Sequence, residues 1–375
     1  MRETENVTDT RERAGDGREM WLDMLRVAAT LAVVMLHTLT GAVNLADPVI
    51  IRENRGLLIV KDLVTWPVPV FLMISGYLFL NPEKKLSYRV MLGRYCRRIV
   101  LALFLFGVPF ACMEQIAAEG GIRLEMVGKA FLMVFQGDGW SHMWYLYLIL
   151  FLYLITPVLK KLLEIVPRPG VLAIMGGLVL LGSIFPFLNI LRGKMLFPQL
   201  PAWSIYLFYY MWGYLTVTGK LRASGDGTRA RLRQGAGCRK RRHGHRAGVF
   251  LLVGTGAVCA AMAASRVIGS YQVQMPYNYP PTVLLSVLLM GLAEVNREWC
   301  SRAAGRKWKA VSSMSFTIYL IHPLFLNFFY KFLHVLPQDY PMALSLPAFF
   351  AAAAGLSLLG AWCLGRIPVL RKYVL

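Results

Sequence analysis

The chain has 375 residues, 57% of them hydrophobic, and a mean hydropathy of +0.51, which together exclude an ordinary soluble domain. Its formal net charge of +21 would favour nucleic-acid binding in a soluble protein. In so apolar a chain, excess Lys and Arg are instead typical of loops on the cytoplasmic side of a membrane, and we expect no nucleic-acid partner.

The apolar segments predict an all-α polytopic membrane protein with about ten transmembrane helices in one bundle. Several segments approach or exceed the roughly 20 residues that span a hydrocarbon core, and they are too long and too uniformly apolar for barrel strands. The domain that they form extends over residues 20–364. The predicted spans are 20–41, 60–80, 99–118, 143–163, 171–189, 202–219, 248–266, 280–296, 311–331 and 343–364.

The flanking segments predict the orientation and location of the protein, and the cysteines bear on disulfides and metal binding. Residues 1–19 are charged and polar, so we expect a disordered tail and no cleavable signal peptide. Lys and Arg concentrate in this tail, in the even-numbered loops and in the short tail 365–375, which predicts that both termini are cytoplasmic and that the bundle lies in the plasma membrane. The six cysteines form no CxxC pair or Cys/His cluster, so we expect neither a disulfide framework nor a metal site.

Two ionisable residues, Arg26 and His37, lie inside the first predicted span. Eleven helical steps return His37 to nearly the same face, about 16 Å further along the helix. Ionisable groups at this depth are costly and usually functional, so the pair predicts a polar path for catalysis or transport. The structural alternative is that Arg26 pairs with Asp23, three residues earlier. His37 would then be a histidine near the outer membrane interface whose hydrogen bonds are satisfied.

The second and third spans carry two further motifs. Ser75 and Tyr77 flank a glycine in the run Phe-Leu-Met-Ile-Ser-Gly-Tyr, where small residues favour close helix packing or backbone access to a ligand. Arg94 and Arg97 are expected to share a helix face at the cytoplasmic mouth of the third span, where guanidinium groups suit phosphate recognition. The alternative for these arginines is ordinary anchoring under the positive-inside rule.

Glu114 and the segment from His142 to Leu146 lie near the outer side of the predicted bundle. A carboxylate at the depth of His37 is a candidate to orient and charge its imidazole. Trp144 fits an interfacial aromatic belt, and His142 either faces an external substrate or anchors the interface.

The loop 220–248 and the ninth span complete the set of unusual segments. The loop carries many arginines spaced by Gly, Ala and His, which favours a solvated cytoplasmic loop that contacts anionic lipid. Nucleic-acid binding and a shifted reading frame in the source DNA are its alternatives. In the ninth span, Ser315, Tyr319 and His322 fall on one helix face near mid-bilayer, which favours a functional polar stripe.

Together these motifs resemble the acyltransferase 3 family of integral membrane acyltransferases, and most of all its bacterial sugar and polysaccharide O-acetyltransferases. The resemblance covers about residues 21–362. It includes Asp23-x-x-Arg26, Arg26-x10-His37, the segment ending at Tyr77, Arg94-x-x-Arg97, the segment from His142 to Leu146 and the run ending at Pro323. The loop 220–248 departs from any pattern of the family.

The resemblance implies a ten-helix bundle that takes an acyl group, expected to be acetyl, from cytoplasmic acyl-CoA to a hydroxyl of an extracytoplasmic carbohydrate or cell-surface glycan. His37 matches the family's essential histidine, and Arg26, Arg94 and Arg97 match its conserved arginines. We predict His37, Arg26 and Glu114 as catalytic and Arg94 and Arg97 as acyl-CoA-binding. The residues predicted to contact substrate are Ser75, Tyr77, His142, Trp144, Tyr319 and His322. A non-sugar acceptor and a transporter of a small polar solute remain alternatives.

Overall fold

The structure, a computed structural model, describes residues 19–46, 55–119, 121, 123–231, 237–268, 277–303 and 306–375. Side chains at 220–246, 268, 303 and 306 lie outside this description, and with them most of the basic loop 220–248. The described residues form helices joined by short turns, with no β-strand among them. The predicted all-α fold is therefore confirmed.

The helices follow the predicted spans in order. By length and composition, eight stretches among the described residues could cross a membrane, and the predicted spans in α8 and α10 are helical as well. The helices are α1 (Met20–Leu45), α2 (Arg55–Leu63), α3 (Pro67–Phe79), α4 (Tyr88–Glu119), α5 (Glu125–Gln136), α6 (Trp144–Ile165), α7 (Arg168–Arg192), α8 (Ser204–Arg231), α9 (Gly237–Ile268), α10 (Pro280–Val295), α11 (Arg297–Ala303), α12 (Arg306–Asn327), α13 (Met342–Leu364) and α14 (Pro368–Tyr373).

Two features of the helices differ from the predicted spans. The second span is divided, because α2 ends before a turn and α3 begins at Pro67, a residue well suited to the first turn of a helix. The segment between the third and fourth spans contains α5, which packs Met126, Ala130 and Val134 against α4. Their spacing of four residues marks an apolar helix face, although α5 has only 12 residues and is too short to span a bilayer.

Glycine allows α3 and α8 to cross in backbone contact. A Cβ atom added at Gly76 would lie 1.8 Å from the carbonyl oxygen of Tyr210, and one added at Gly213 would lie 2.2 Å from that of Met73. The Ser-Gly segment of the second span therefore serves close packing, as small residues do between membrane helices. This crossing also fixes the position of Ser75, the neighbour of Gly76.

A buried ion pair joins α2 to α9. The Arg266 guanidinium donates to both carboxylate oxygens of Asp62, at 2.5 and 3.0 Å, and each side chain is 4% exposed. Lys61 is also buried beside this pair. Charges removed from water need such a partner, so the pair fixes the position of α9 on the bundle once both charges are buried.

We expect Gly76→Ala to destabilise the bundle. Its methyl group would collide with the Tyr210 backbone and separate α3 from α8, at a cost of about 1–3 kcal/mol or more. Thermal unfolding of the purified protein in detergent measures the effect. Gly355→Ala in α13 is the matched control, because a methyl group there meets nothing within 4 Å. Equal melting temperatures for the two variants would contradict the close crossing.

Candidate active site

Three histidines from distant parts of the sequence meet inside the bundle. His37 comes from α1, His142 from the turn before α6, and His322 from α12. The ring centroid of His37 lies 5.0 Å from that of His322 and 6.2 Å from that of His142, and the latter two are 5.8 Å apart. Each histidine was predicted from its own motif, and the structure brings them into one cluster. No group of three or more His, Cys, Asp or Glu side chains among the described residues is arranged to hold a metal ion.

Contacts with α12 hold His142 in this cluster. Its Nε2 lies 3.3 Å from the carbonyl oxygen of Leu320, and the Tyr319 hydroxyl donates to the backbone carbonyl of His142. His142, Tyr319 and His322 are all buried, whereas His37 is half-buried. Tyr319 and His322 of the predicted polar stripe on α12 thus lie against His37 and His142.

A cavity of about 290 Å³ lies beside the cluster and is lined by both His37 and His142. Trp140 forms part of its wall and stacks on Phe110 with ring centroids 4.3 Å apart. Trp140 Nε1 and the hydroxyl of Tyr330, which also lines the cavity, have no hydrogen-bond partner among the described residues. Buried polar atoms are seldom left unsatisfied, so this wall offers hydrogen bonds to a polar ligand.

Glu114 lines the same cavity but pairs with Lys331. Lys331 donates to both oxygens of the Glu114 carboxylate, at 2.6 Å to Oε1, and the two side chains are 36% and 40% exposed. The pair links α4 to the end of α12 at the rim of the cavity. The proposed action of Glu114 on His37 remains a prediction.

Arg26 is held at the other end of α1 by two partners. Its Nη1 donates to Asp23 at 3.1 Å and to the Ser312 hydroxyl at 3.2 Å, and Ser312 in turn donates to Asp23 at 2.6 Å. The i,i+3 pair that the sequence offered as a structural alternative is present. The same contacts join α1 to α12 and set the direction of the guanidinium.

Tyrosine side chains connect Arg26 to the histidine cluster. Tyr145 and Tyr153 both lie near the Ser75 hydroxyl, and both phenols interact electrostatically with Arg26. Tyr145 packs against Tyr319 with centroids 5.5 Å apart, and Tyr319 in turn contacts His142 and His322. A continuous row of polar and aromatic side chains therefore runs through the bundle, and we call it the file. It consists of Arg26, Ser75, Tyr145, Tyr153, Tyr319 and the three histidines.

Basic residues stand at the end of this file, around a π-helical turn (Met91–Cys96) in α4. Arg94 is exposed, stacks over Tyr95 and interacts with Lys84 and Arg98. Burial, and then the neighbouring charge of Arg94, lowers the pKa of Lys84 below its ordinary value. A bound anion would relieve the repulsion between these cations.

Arg98, which the sequence analysis did not select, also interacts with the file. It interacts with Tyr153, lies over Phe316 and donates through Nε to the carbonyl oxygen of Val374 at 2.8 Å. Arg97 is exposed and instead stacks over Tyr373 of α14. Arg94 interacts with both Lys84 and Arg98, and we call these three residues the basic cluster. The predicted role of Arg97 in binding acyl-CoA remains a prediction.

Tyr77 and Trp144 lie apart from the file. The Tyr77 hydroxyl donates to Glu19 at 3.4 Å, and its ring meets Trp21 edge-on at 5.5 Å. Trp144 packs with Tyr206 and Tyr277. Both are thus well placed for structural contacts, and their predicted roles in binding substrate remain predictions.

A larger cleft of about 1200 Å³ lies between α1, α9, α10 and α11 and shares no lining residue with the histidine cavity. Leu25 and Leu292 are among its apolar walls, and Arg297 and Trp299 stand at one end. Glu298 and Arg302 also line this end of the cleft, and none of the predicted catalytic residues lines it.

The apolar helices, which surround an internal file of polar side chains, indicate a multi-pass membrane protein. The sequence profile of the family described as an acyltransferase domain, acyltransferase 3, matches residues 20–366, nearly the whole chain. The chain belongs to this family and is an acyltransferase that transfers groups other than amino-acyl groups. No curated protein and no solved structure matches the chain.

We expect Ser312→Ala to lower the rate of acyl transfer about tenfold. The change removes a hydrogen bond to each member of the Asp23–Arg26 pair, and such charged hydrogen bonds contribute about 1.5–3 kcal/mol. Acyl-transfer kinetics on purified protein in lipid nanodiscs provide the measurement. Ser313→Ala is the matched control, because that hydroxyl is exposed and bonds only to Ala310 of its own helix. An unchanged rate in Ser312→Ala would show that the direction of Arg26 does not matter.

Proposed function

We propose that this enzyme moves an acetyl group from cytoplasmic acetyl-CoA to a hydroxyl of an extracytoplasmic carbohydrate or cell-surface glycan. The observation that carries the proposal is the internal file, with a basic cluster at one end and three histidines beside a cavity at the other. A reaction between two substrates that approach from opposite membrane faces requires such a route.

The basic cluster is the proposed docking site for the donor. Coenzyme A is a polyanion, and Arg94 and Arg98 provide guanidinium groups suited to its phosphates. Its thin pantetheine arm would follow Tyr153, Ser75 and Tyr145 inward. Arg26 lies about 16 Å from His37 along α1, so its proposed role is to bind the arm or a phosphate and not to touch the thioester.

The cavity beside His37 is the proposed acceptor site. Trp140 and Tyr330 supply an aromatic wall with unsatisfied polar atoms, which suits a ligand that carries several hydroxyl groups. Glu114 and Lys331 at the rim add further polar contacts.

In the proposed reaction, the acceptor hydroxyl attacks the carbonyl carbon of the thioester while His37 takes its proton. The new C–O bond forms, the C–S bond breaks, and the leaving thiolate of coenzyme A takes the proton back from His37. Both substrates must then be bound together. Ping-pong kinetics would indicate instead that His37 carries the acyl group covalently.

His37→Asn is expected to lower kcat by about 10²–10⁴, because the general base is lost. Transfer of labelled acetyl from acetyl-CoA to envelope glycans, followed by mass spectrometry, measures the rate and identifies the acceptor. His334→Asn is the matched control, since His334 is exposed and has a φ of 51°, which asparagine tolerates. Normal glycan acetylation by His37→Asn would refute the proposal, and acetylation of a non-sugar product would correct the acceptor class.

The proposed direction of transfer requires the basic cluster to face the cytoplasm and the cavity to face outward. In a cysteine-free background, Glu119→Cys should react with a membrane-impermeant maleimide on intact cells, because the proposed topology puts the last residue of α4 outside. Lys85→Cys should react only after permeabilisation. Both positions are exposed, so accessibility within the protein does not limit either reaction. The reverse labelling pattern would show that the topology is the opposite of the proposed one.

A further inference from the structure

Pro323 follows His322 within α12 and changes the hydrogen bonding of that helix. Proline has no backbone N–H, so the carbonyl of Tyr319, four residues earlier, lacks its usual helical partner. His322 Nδ1 lies 2.8 Å from this carbonyl oxygen and 3.1 Å from that of Ile318. Only an N–H group can satisfy two carbonyl oxygens, so Nδ1 carries the proton of the neutral imidazole.

The other ring nitrogen of His322 is therefore a hydrogen-bond acceptor. Nε2 is fully buried and has no partner among the described residues, although a buried unsatisfied group costs about 1–3 kcal/mol. The rings that face it are His37 of α1, His142 from the turn before α6, and Tyr319 of its own helix. His142 and Tyr319 already contact backbone carbonyls, and His37 is the nearest of the three rings.

We propose that His322 is the positioning residue for His37. Nε2 of His322 accepts a hydrogen bond from one ring N–H of His37, which leaves the other nitrogen of His37 unprotonated and directed at the acceptor cavity. The centroid separation of 5.0 Å leaves room for one N–H···N bond after a small rotation of the His37 ring. His37 is half-buried beside the cavity, whereas His322 is fixed by the backbone of its own helix.

This inference rests on the proposed function and adds the residue that orients its catalytic base. A catalytic base usually needs a third group that fixes its tautomer and stabilises the protonated ring. A carboxylate in that place would bring a buried charge, which is costly within a bilayer. A neutral histidine supplies the same acceptor without the charge, and Pro323 determines which of its nitrogens is available.

His322→Asn separates this role from a structural one. The Asn side chain places an N–H group near the position of Nδ1, so it can still bond to the Tyr319 carbonyl, but it has no atom at the position of Nε2. Asn327 in the same helix makes this kind of bond, at 2.9 Å to the carbonyl oxygen of Pro323. The variant should therefore fold normally while the acceptor for His37 is lost.

We expect His322→Asn to lower kcat about a hundredfold without a change in the KM for acetyl-CoA. The acidic limb of its pH–rate profile should move to lower pH, because protonated His37 loses a stabilising partner. His322→Gln, which restores an acceptor near Nε2, should recover part of kcat. Nitrogen-15 NMR of histidine-labelled wild-type protein should show His322 as the Nδ1–H tautomer.

Three results would overturn the positioning role: a kcat of His322→Asn within twofold of wild type, an unmoved acidic limb, or an Nε2–H tautomer in wild type. The double variant His37→Asn/His322→Asn should be no slower than His37→Asn alone, because the two residues act as one unit. An active His37→Asn refutes the proposed function itself. An inactive His37→Asn beside a fully active His322→Asn refutes only the role of His322.

Discussion

The structure depends on one constraint, the cost of a polar group in hydrocarbon without a partner. Arg26 meets this constraint through Asp23 and Ser312, and Asp62 meets it through Arg266. His142 and His322 each contact backbone carbonyls. Because each polar group must find another, those on different helices gather in the same interior region. The helices in turn are held in register by these contacts, so the site and the fold stabilise each other.

The two ends of the interior file differ in rigidity as well as in charge. At the histidine end, proline, tyrosine and backbone carbonyls fix His142 and His322 in buried positions. At the basic end, Arg94 and Arg97 are exposed and stack over Tyr95 and Tyr373. Reaction geometry demands precise placement, whereas binding of a flexible polyanion depends on charge and tolerates movement. This division matches an enzyme that captures its donor at one face and reacts near the other.

Sequence reasoning predicted the helices, the Asp23–Arg26 pair and each histidine, because these follow from hydropathy, spacing within one helix and depth in the span. It could not predict that His37, His142 and His322 meet, since helical periodicity gives the face of a helix and not its neighbour. Arg98 was not selected because the i,i+3 spacing favoured Arg94 and Arg97, and regular helical spacing does not anticipate the π-helical turn (Met91–Cys96). The helix α5 could have been predicted from the spacing of its buried residues, but it is too short for a search based on span length.

The Glu114–Lys331 pair gives the acceptor cavity an entrance unlike its interior. Both side chains are more than a third exposed, and ion pairs of this kind contribute little to stability and weaken as ionic strength rises. The ion pair at the rim can therefore separate at a low cost in free energy, while the histidines behind it stay fixed. Under the proposed function, selection among acceptors by size would then be permissive and salt-dependent. Variation among acceptors could accordingly arise from changes at this rim without any change in the three histidines.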